Sequence, residues 1–384
     1  MSPYILVYLI VFFQALFVVV INKRVYATVR ENYRRNLDDI VSSITTIMLG
    51  AMLAFRYGQG TDYFNYYRNF DLINPNSMYN LGLHTEIGWK FLNFLIKSNN
   101  LPFEFLVFII SVFEIFCIKK FLNIYCKNNK TIALIILYPA VIFVYLISAL
   151  RQGLVISVFL GIMLPMLDSG EYKKYAVMTL VMTAIHTVAI VYLLILPILK
   201  NENNVKLRHL ERIKILSVLL ALYFGIMSPE RLLKNFIPPI VMRHAGIEFS
   251  YPAVIENLVI MLLMTQLYYN ASNKEEIRRY YIIFSIGVIF FFLTSWMTLF
   301  ANRTFSCWKY VYIVFFIKYF IANRGIRKQI ALLFFICFSS FMLIRNIDAA
   351  IEQGSYVKSV NAFNYPYMSI FDKSVAQKMR SDYR

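Results

Sequence analysis

The sequence predicts an all-α polytopic membrane protein, and three observations carry that expectation. Hydrophobic residues make up 59% of the chain and charged residues 16%, against about 45–50% and about 25% in a soluble globular protein. The apolar residues fall in solid runs, near the length of about 20 residues that a helix needs to cross a hydrocarbon core about 30 Å thick. Basic residues gather in the segments between those runs. A mean hydropathy of +0.58 excludes an ordinary soluble enzyme, because too little polar surface is left to cover water-facing globules. The runs do not alternate polar and apolar as barrel strands would, so they read as helices.

Taken in order, candidate spans lie at 3–22, 40–55, 101–118, 131–150, 153–167, 176–199, 213–227, 252–269, 280–300, 304–322 and 329–344. Together they predict about 10–12 transmembrane helices. The first run lacks a basic leader and a small-residue cleavage site, so it reads as a retained anchor rather than a signal peptide. Six basic clusters orient the rest. They are Lys23 to Arg35, Lys119 to Lys130, Lys173-Lys174, Lys200 to Arg212, Lys274 to Arg279, and Arg324 to Lys328. Such clusters mark the cytoplasmic side. Loops 56–100 and 228–251 then face outward, as does a polar tail over 345–384, behind one transmembrane domain over 1–344.

Two segments need separate reasoning. Residues 84–97 read as an interfacial amphipathic helix, since counting them as a span would move the lysines of 119–130 outside. The run 176–199 separates two basic loops that both want the cytoplasm, so it reads as a re-entrant hairpin with His186 at its tip. A single tilted helix is the competing picture. Trp89, Trp296 and Trp308 fall at the outer boundary in this layout, where an aromatic belt is expected.

A formal net charge of +18 would suggest nucleic acid on a soluble chain. Here positive-inside loops and the anionic lipid bilayer account for it, and no nucleic-acid partner is expected. Cys117, Cys126, Cys307 and Cys337 have no paired spacing, and His84, His186, His209 and His244 are scattered, so no metal site is indicated.

The informative residues are cations outside those clusters. Arg151 stands alone between Lys130 and Asp168, in the expected outer turn 149–153, and Arg303 stands alone between Arg279 and Lys309. Arg56 closes the second span at its outer end. An arginine at membrane depth is costly and is kept for a partner or an anionic ligand. Its planar fork donates two parallel hydrogen bonds to a phosphate. Snorkelling to headgroups, or pairing with a carboxylate, is the plainer explanation for any one of them.

Arg56 opens the run Arg56-Tyr57-Gly58-Gln59-Gly60-Thr61-Asp62-Tyr63-Phe64-Asn65-Tyr66-Tyr67. The two glycines allow a tight turn. The faces and hydroxyls of Tyr57, Tyr63, Tyr66 and Tyr67 suit sugars, although a wet loop with interfacial tyrosines reads the same way. Glu86 follows, and His186 is the one ionisable group, tyrosine aside, between Lys174 and Lys200. Glu104, Glu114 and Glu256, in or beside spans, would serve a proton relay in a transporter.

The order Arg56-Tyr57-Gly58-x-Gly60-Thr61-Asp62-Tyr63 with Tyr66-Tyr67, then Glu86-x-Gly88, Arg151-Gln152, His186, Arg303 and Pro366-Tyr367 resembles the Wzy-type polysaccharide polymerases, in particular the EpsG-like branch. The resemblance runs over about residues 1–371. It implies a GT-C-like multi-helix bundle in the bacterial inner (cytoplasmic) membrane, with its site facing the periplasm or outer face. The implied reaction transfers a growing chain from undecaprenyl diphosphate to the terminal sugar hydroxyl of a new undecaprenyl-diphosphate-linked oligosaccharide. It needs no metal, nucleotide sugar or other cofactor. A chain-length regulator and a flippase of the same pathway are the protein partners it implies. On that reading Arg56, Arg151 and Arg303 bind the diphosphate, whose negative charge grows as the glycosidic bond breaks. Tyr57, Tyr63, Tyr66, Tyr67 and Gln152 bind glycan, and Asp62, Glu86 or His186 is the general base. A lipid-linked-oligosaccharide flippase or other transporter, an O-antigen ligase and a membrane acyltransferase are the rivals. The transporter should show internal repeats, and none is visible.

Overall fold

The computed structural model describes residues 1–25, 31–75, 86–227, 249–323 and 325–380, with side chains described outside 19–25, 31–36 and 299. Most of loop 228–251, with His244, therefore lies outside the described residues, as do 76–85 with His84, and Arg324. Among the described residues extended pairing is confined to isolated bridges, Arg56–Ser369, Tyr356–Arg380 and Ser369–Asp372. Everything else regular is helical.

The chain divides into two compact units, Met1–Thr187 with Gln329–Arg384, and Val188–Lys328. The first begins with α1 (Pro3–Val25), α2 (Glu31–Ala54), α3 (Tyr63–Asp71), α4 (Ile87–Ser98) and α5 (Phe103–Phe121). It continues with α6 (Lys130–Leu137), α7 (Leu150–Val158), α8 (Leu164–Asp168) and α9 (Tyr172–Ile185). The second holds α10 (Leu196–Lys200), α11 (Leu207–Met227), α12 (Tyr251–Asn270), α13 (Lys274–Leu293), α14 (Thr298–Tyr310) and α15 (Tyr312–Ala322). The chain ends with α16 (Ile326–Gln353), most of which belongs to the first unit, and α17 (Ser374–Met379).

Among the described residues six helical runs are long and apolar enough to cross a membrane: Leu37–Ala54, Phe103–Ile147, Leu150–Asp168, Tyr251–Asn270, Phe300–Ala322 and Ile326–Gln353. Pro3–Val18 and Thr187–Lys200 are apolar but shorter. The protein is an all-α polytopic membrane protein. The 45 residues of Phe103–Ile147 hold the expected spans 101–118 and 131–150 as two helices on either side of a non-helical turn, where Lys127 has φ 38° and Asn128 leaves helical geometry. Two other expected spans fall outside this number for a physical reason: α11 and α13 begin with charged turns, Arg208 to Arg212 and Lys274 to Arg279, which shorten their apolar stretches.

Within the first unit almost all of residues 130–147 and most of Leu150–Asp168 are buried, whereas Ile109, Val112 and Phe116 open one side of α5, and Leu37–Ala54 and Ile326–Gln353 leave most of their residues open. Ile40, Ile44 and Ile47 line one open face of α2, and Ile330, Leu333 and Phe341 are exposed on α16. Water would penalise such stripes and lipid covers them. At the start of α6 the Asp38 carboxylate accepts from the Lys130 and Thr131 amides at 2.8 and 3.2 Å and from the Thr131 hydroxyl at 2.7 Å. It thereby satisfies helix-end donors that would otherwise be orphaned.

Several expectations are met differently. Helix α4 has 12 residues, about 18 Å of rise, too short to cross. Trp89, Asn93 and Ile96 face inward and Ile87, Phe91 and Leu95 outward, at helical spacing. Trp89 and Trp308 are buried inside their units, so they pack protein and do not form a lipid-facing belt. The run 176–199 is not one straight helix. Helix α9 stops at Ile185, His186 is extended with φ −149° and ψ 113°, and a 3-10 helix follows over Thr187–Ile195. The boundary drawn at residue 344 falls inside α16. The chain beyond α16 packs into the first unit, where Tyr365, Met368, Ala376 and Arg380 are buried.

Candidate active site

The ends of three helices meet at Glu86. It immediately precedes α4 and does not cap it with its side chain. One carboxylate oxygen, Oε2, accepts from Arg151 Nη1 at 2.6 Å. The other, Oε1, lies 3.5 Å from His186 Nδ1 and accepts from the Thr187 hydroxyl at 3.5 Å. Arg151 stands in the first turn of α7, where the helix dipole disfavours a cation, so the carboxylate offsets an unfavourable placement. Its Nε donates to the Tyr66 hydroxyl at 3.3 Å, and its guanidinium carbon lies 5.5 Å from the Tyr66 ring centroid. Tyr66 in turn packs edge-on against Trp89. Side-chain exposures of 7% for Glu86, 13% for His186 and 17% for Arg151 describe a sheltered cluster.

The local sequence makes this meeting possible. A side chain at Gly88 would run into the Ala184 backbone, so glycine there lets α4 and α9 approach closely enough for Glu86 to reach His186. The break at His186 leaves that residue outside helical geometry, which frees the ring from the lie of α9. Burial alone would raise the Glu86 pKa, but the His186 hydrogen bond and the Arg151 charge together hold it down to about 2. Glu86 is therefore an ionised, occupied carboxylate. Such a group is a poor proton acceptor near neutrality, and it is well suited to orient an imidazole.

The other expected site residues are placed as follows. Arg56 is buried, and its Nη1 donates to the Leu53 carbonyl at 2.7 Å and the Ser111 hydroxyl at 2.9 Å. Tyr57 and Tyr63 are buried against one another and against Phe64, and Tyr63 also meets Phe103. Tyr67 packs on Phe103, and Gln152 is buried beside Arg151 in sequence. Asp62 precedes α3, half-buried, with no side-chain cap. It is not bonded to the Glu86 cluster among the described residues. Arg303 belongs to the second unit, exposed on α14 rather than in a turn, since the chain turns at Ser295–Met297. Of the relay candidates, Glu104 pairs with Lys373 at 2.7 Å and Glu256 with Lys309 at 3.3 Å.

The glycine turn proves to be a structural knot, and most of its partners escape sequence reasoning. Gly58 and Gly60 have φ of 63° and 80°, a region other residues avoid. Gln59 between them is buried, accepting from the Tyr4 hydroxyl at 2.6 Å and donating to the Pro366 carbonyl at 3.3 Å. Arg380 donates to the Gly58 and Gly60 carbonyls at 2.8 and 2.6 Å. Tyr4, Pro366 and Arg380 are hundreds of residues apart in part, and spacing carries no signal for such contacts.

No curated protein and no solved structure matches the chain. A family model described as the EpsG family matches residues 39–369, a stretch that includes the glycine turn, Glu86, Arg151, His186 and Arg303. With most of its 384 residues covered by that match, the chain belongs to the EpsG family.

Proposed function

We propose that the protein is a membrane glycosyltransferase that polymerises oligosaccharide repeat units carried on undecaprenyl diphosphate, at the outer face of the bacterial cytoplasmic membrane. The observation that carries this reading is the Glu86–Arg151–His186 cluster, and membership of the EpsG family supports it. The acceptor hydroxyl oxygen attacks the anomeric carbon of the growing chain, and the bond from that carbon to the diphosphate oxygen breaks. The hydroxyl proton passes to His186. With Nδ1–H turned to Glu86, the Nε2 lone pair is the one available, as in other carboxylate–histidine pairs. The departing lipid diphosphate keeps the bonding electrons. Arg151, with Nη2 left over from its two bonds, balances that charge through a rigid donor. Arg303 is a second candidate cation for the diphosphate, and Asp62 is the alternative candidate for the general base.

The test is reconstitution. Purified protein given only lipid-diphosphate repeat units should form oligomers without ATP, nucleotide sugar or added divalent metal. Movement of units across the vesicle membrane with no oligomers would make it a transporter. A deletion strain distinguishes the same readings in the cell. Single repeat units on the final acceptor, with long chains gone, fit a polymerase, and an acceptor bearing no unit fits a flippase or ligase.

A further inference from the structure

We propose that Arg380 is a positioning residue for the transfer site, the clasp of a strap over residues 354–380 that holds the Arg56–Asp62 loop in register with Arg151. The proposal rests on the polymerase reading.

Arg380 is 2% exposed. Its Nη1 takes both the Gly58 and Gly60 carbonyls, at 2.8 and 2.6 Å. The guanidinium carbon lies 4.9 Å from the Phe64 ring centroid and 5.0 Å from that of Tyr356. A guanidinium can stack on rings and donate in its own plane at once, which an ammonium cannot. The bonds are charge-assisted and so roughly twice as strong as neutral ones. The strap leading to it is anchored along its length. The Tyr57 amide donates to the Met368 carbonyl at 2.9 Å and the Ile370 amide to the Phe55 carbonyl at 3.0 Å. The Tyr367 hydroxyl reaches the Met52 carbonyl at 2.9 Å, and Lys373 pairs with Glu104 at 2.7 Å.

What Arg380 clasps bears on Arg151 from two directions. Gly60 sits hard against the Ser148 backbone, where any side chain would collide with the Ser148 Cα. Ser148 is three residues before Arg151, at the break that precedes α7. From Gly60 the chain also runs through Asp62 into α3, whose Tyr66 accepts from Arg151 Nε. One clasp therefore sets both the helix that carries Arg151 and the hydroxyl that aims it. Arg380 itself is too buried to be offered to substrate and lies beyond the matched stretch 39–369.

The experiment compares wild type, Arg380→Ala and Arg380→Lys, purified and given lipid-diphosphate repeat units. A second readout needs no activity: the labelling rate of a Thr61→Cys thiol in a background without the four native cysteines. The expected result for Arg380→Ala is a kcat lower by roughly 10²-fold, the order that a displacement of about 1 Å costs, with KM within about twofold. Thr61→Cys labelling should quicken by about tenfold, since the loop is released. Arg380→Lys should recover part of kcat, because one carbonyl can still be held. Wild-type kcat and unchanged labelling in Arg380→Ala would overturn the proposal, as would a loss of activity that merely tracks the loss of folded protein. If wild type itself makes no polymer, the polymerase reading fails, and the labelling rates still decide whether Arg380 holds the loop.

Discussion

A carboxylate held at a pKa of about 2 beside a guanidinium keeps its charge through the physiological range, and this divides the work between Glu86 and His186. Replacing His186 by Gln keeps a hydrogen-bonding group but removes the titratable nitrogen. Turnover should fall by about 10²–10⁴, the usual worth of a general base, with the melting temperature nearly unchanged; substantial retained turnover would move the base to Asp62. Removing the carboxylate by Glu86→Ala leaves a sheltered arginine without its partner and should cost about 3 kcal/mol or more. The pH dependence has a definite sign. The folded pKa of Glu86 is depressed, so its stabilisation is complete above the ordinary value near 4.5 and is lost as pH falls from there toward about 2. Melting temperatures measured at pH 7, 5 and 3 should fall in wild type between the last two, and the part of that fall due to Glu86 should be missing in Glu86→Gln.

At the scale of elements, the site is assembled from helix ends rather than helix faces. Glu86 just before α4 and His186 just after α9 both lie outside helical geometry, and Arg151 stands in the first turn of α7. The break at His186 is where a re-entrant chain would reverse toward Lys200. A re-entrant course places both flanking basic loops in the cytoplasm. With the native cysteines replaced, Ser169→Cys and Asn203→Cys should then both be labelled only from the cytoplasmic side. If an impermeant reagent reaches the second in intact cells while the first stays protected, the segment is a single crossing.

For the molecule as a whole, two units of different character follow from the contact pattern. The first contains the cluster and the strap. The second buries its own polar centre, in which Lys214 donates to Thr265 at 2.9 Å and Tyr281 at 2.7 Å and pairs with Glu211 at 2.9 Å. All three ammonium donors are used, which marks that centre as structural. Arg303 is the sequence's candidate in this unit. Arg303→Ala should reduce polymer formation by about 10² at normal membrane levels, read as product length on gels with immunoblots for protein, and an unaffected product would remove it from the reaction.

Hydropathy and charge by themselves determined the class of the protein, because burial in lipid is an additive property of local composition and a solidly apolar run cannot be stable in water. Single residues out of keeping with their surroundings were legible for the same reason: Arg151 and His186 stand out because nothing near them in sequence explains them. Only the tertiary structure decided what they pair with. Glu86 reads as a loop acid until Gly88 brings α4 against α9. Arg56 reads as a cation at the end of a span until the fold buries it, with Nη1 on Leu53 and Ser111 and Nε and Nη2 without a hydrogen-bond partner among the described residues. Arg380 reads as tail charge until it is found 2.8 and 2.6 Å from two glycine carbonyls. These roles depend on pairings between residues distant in the chain, and a pairing energy exists only once the fold has brought its two partners within reach.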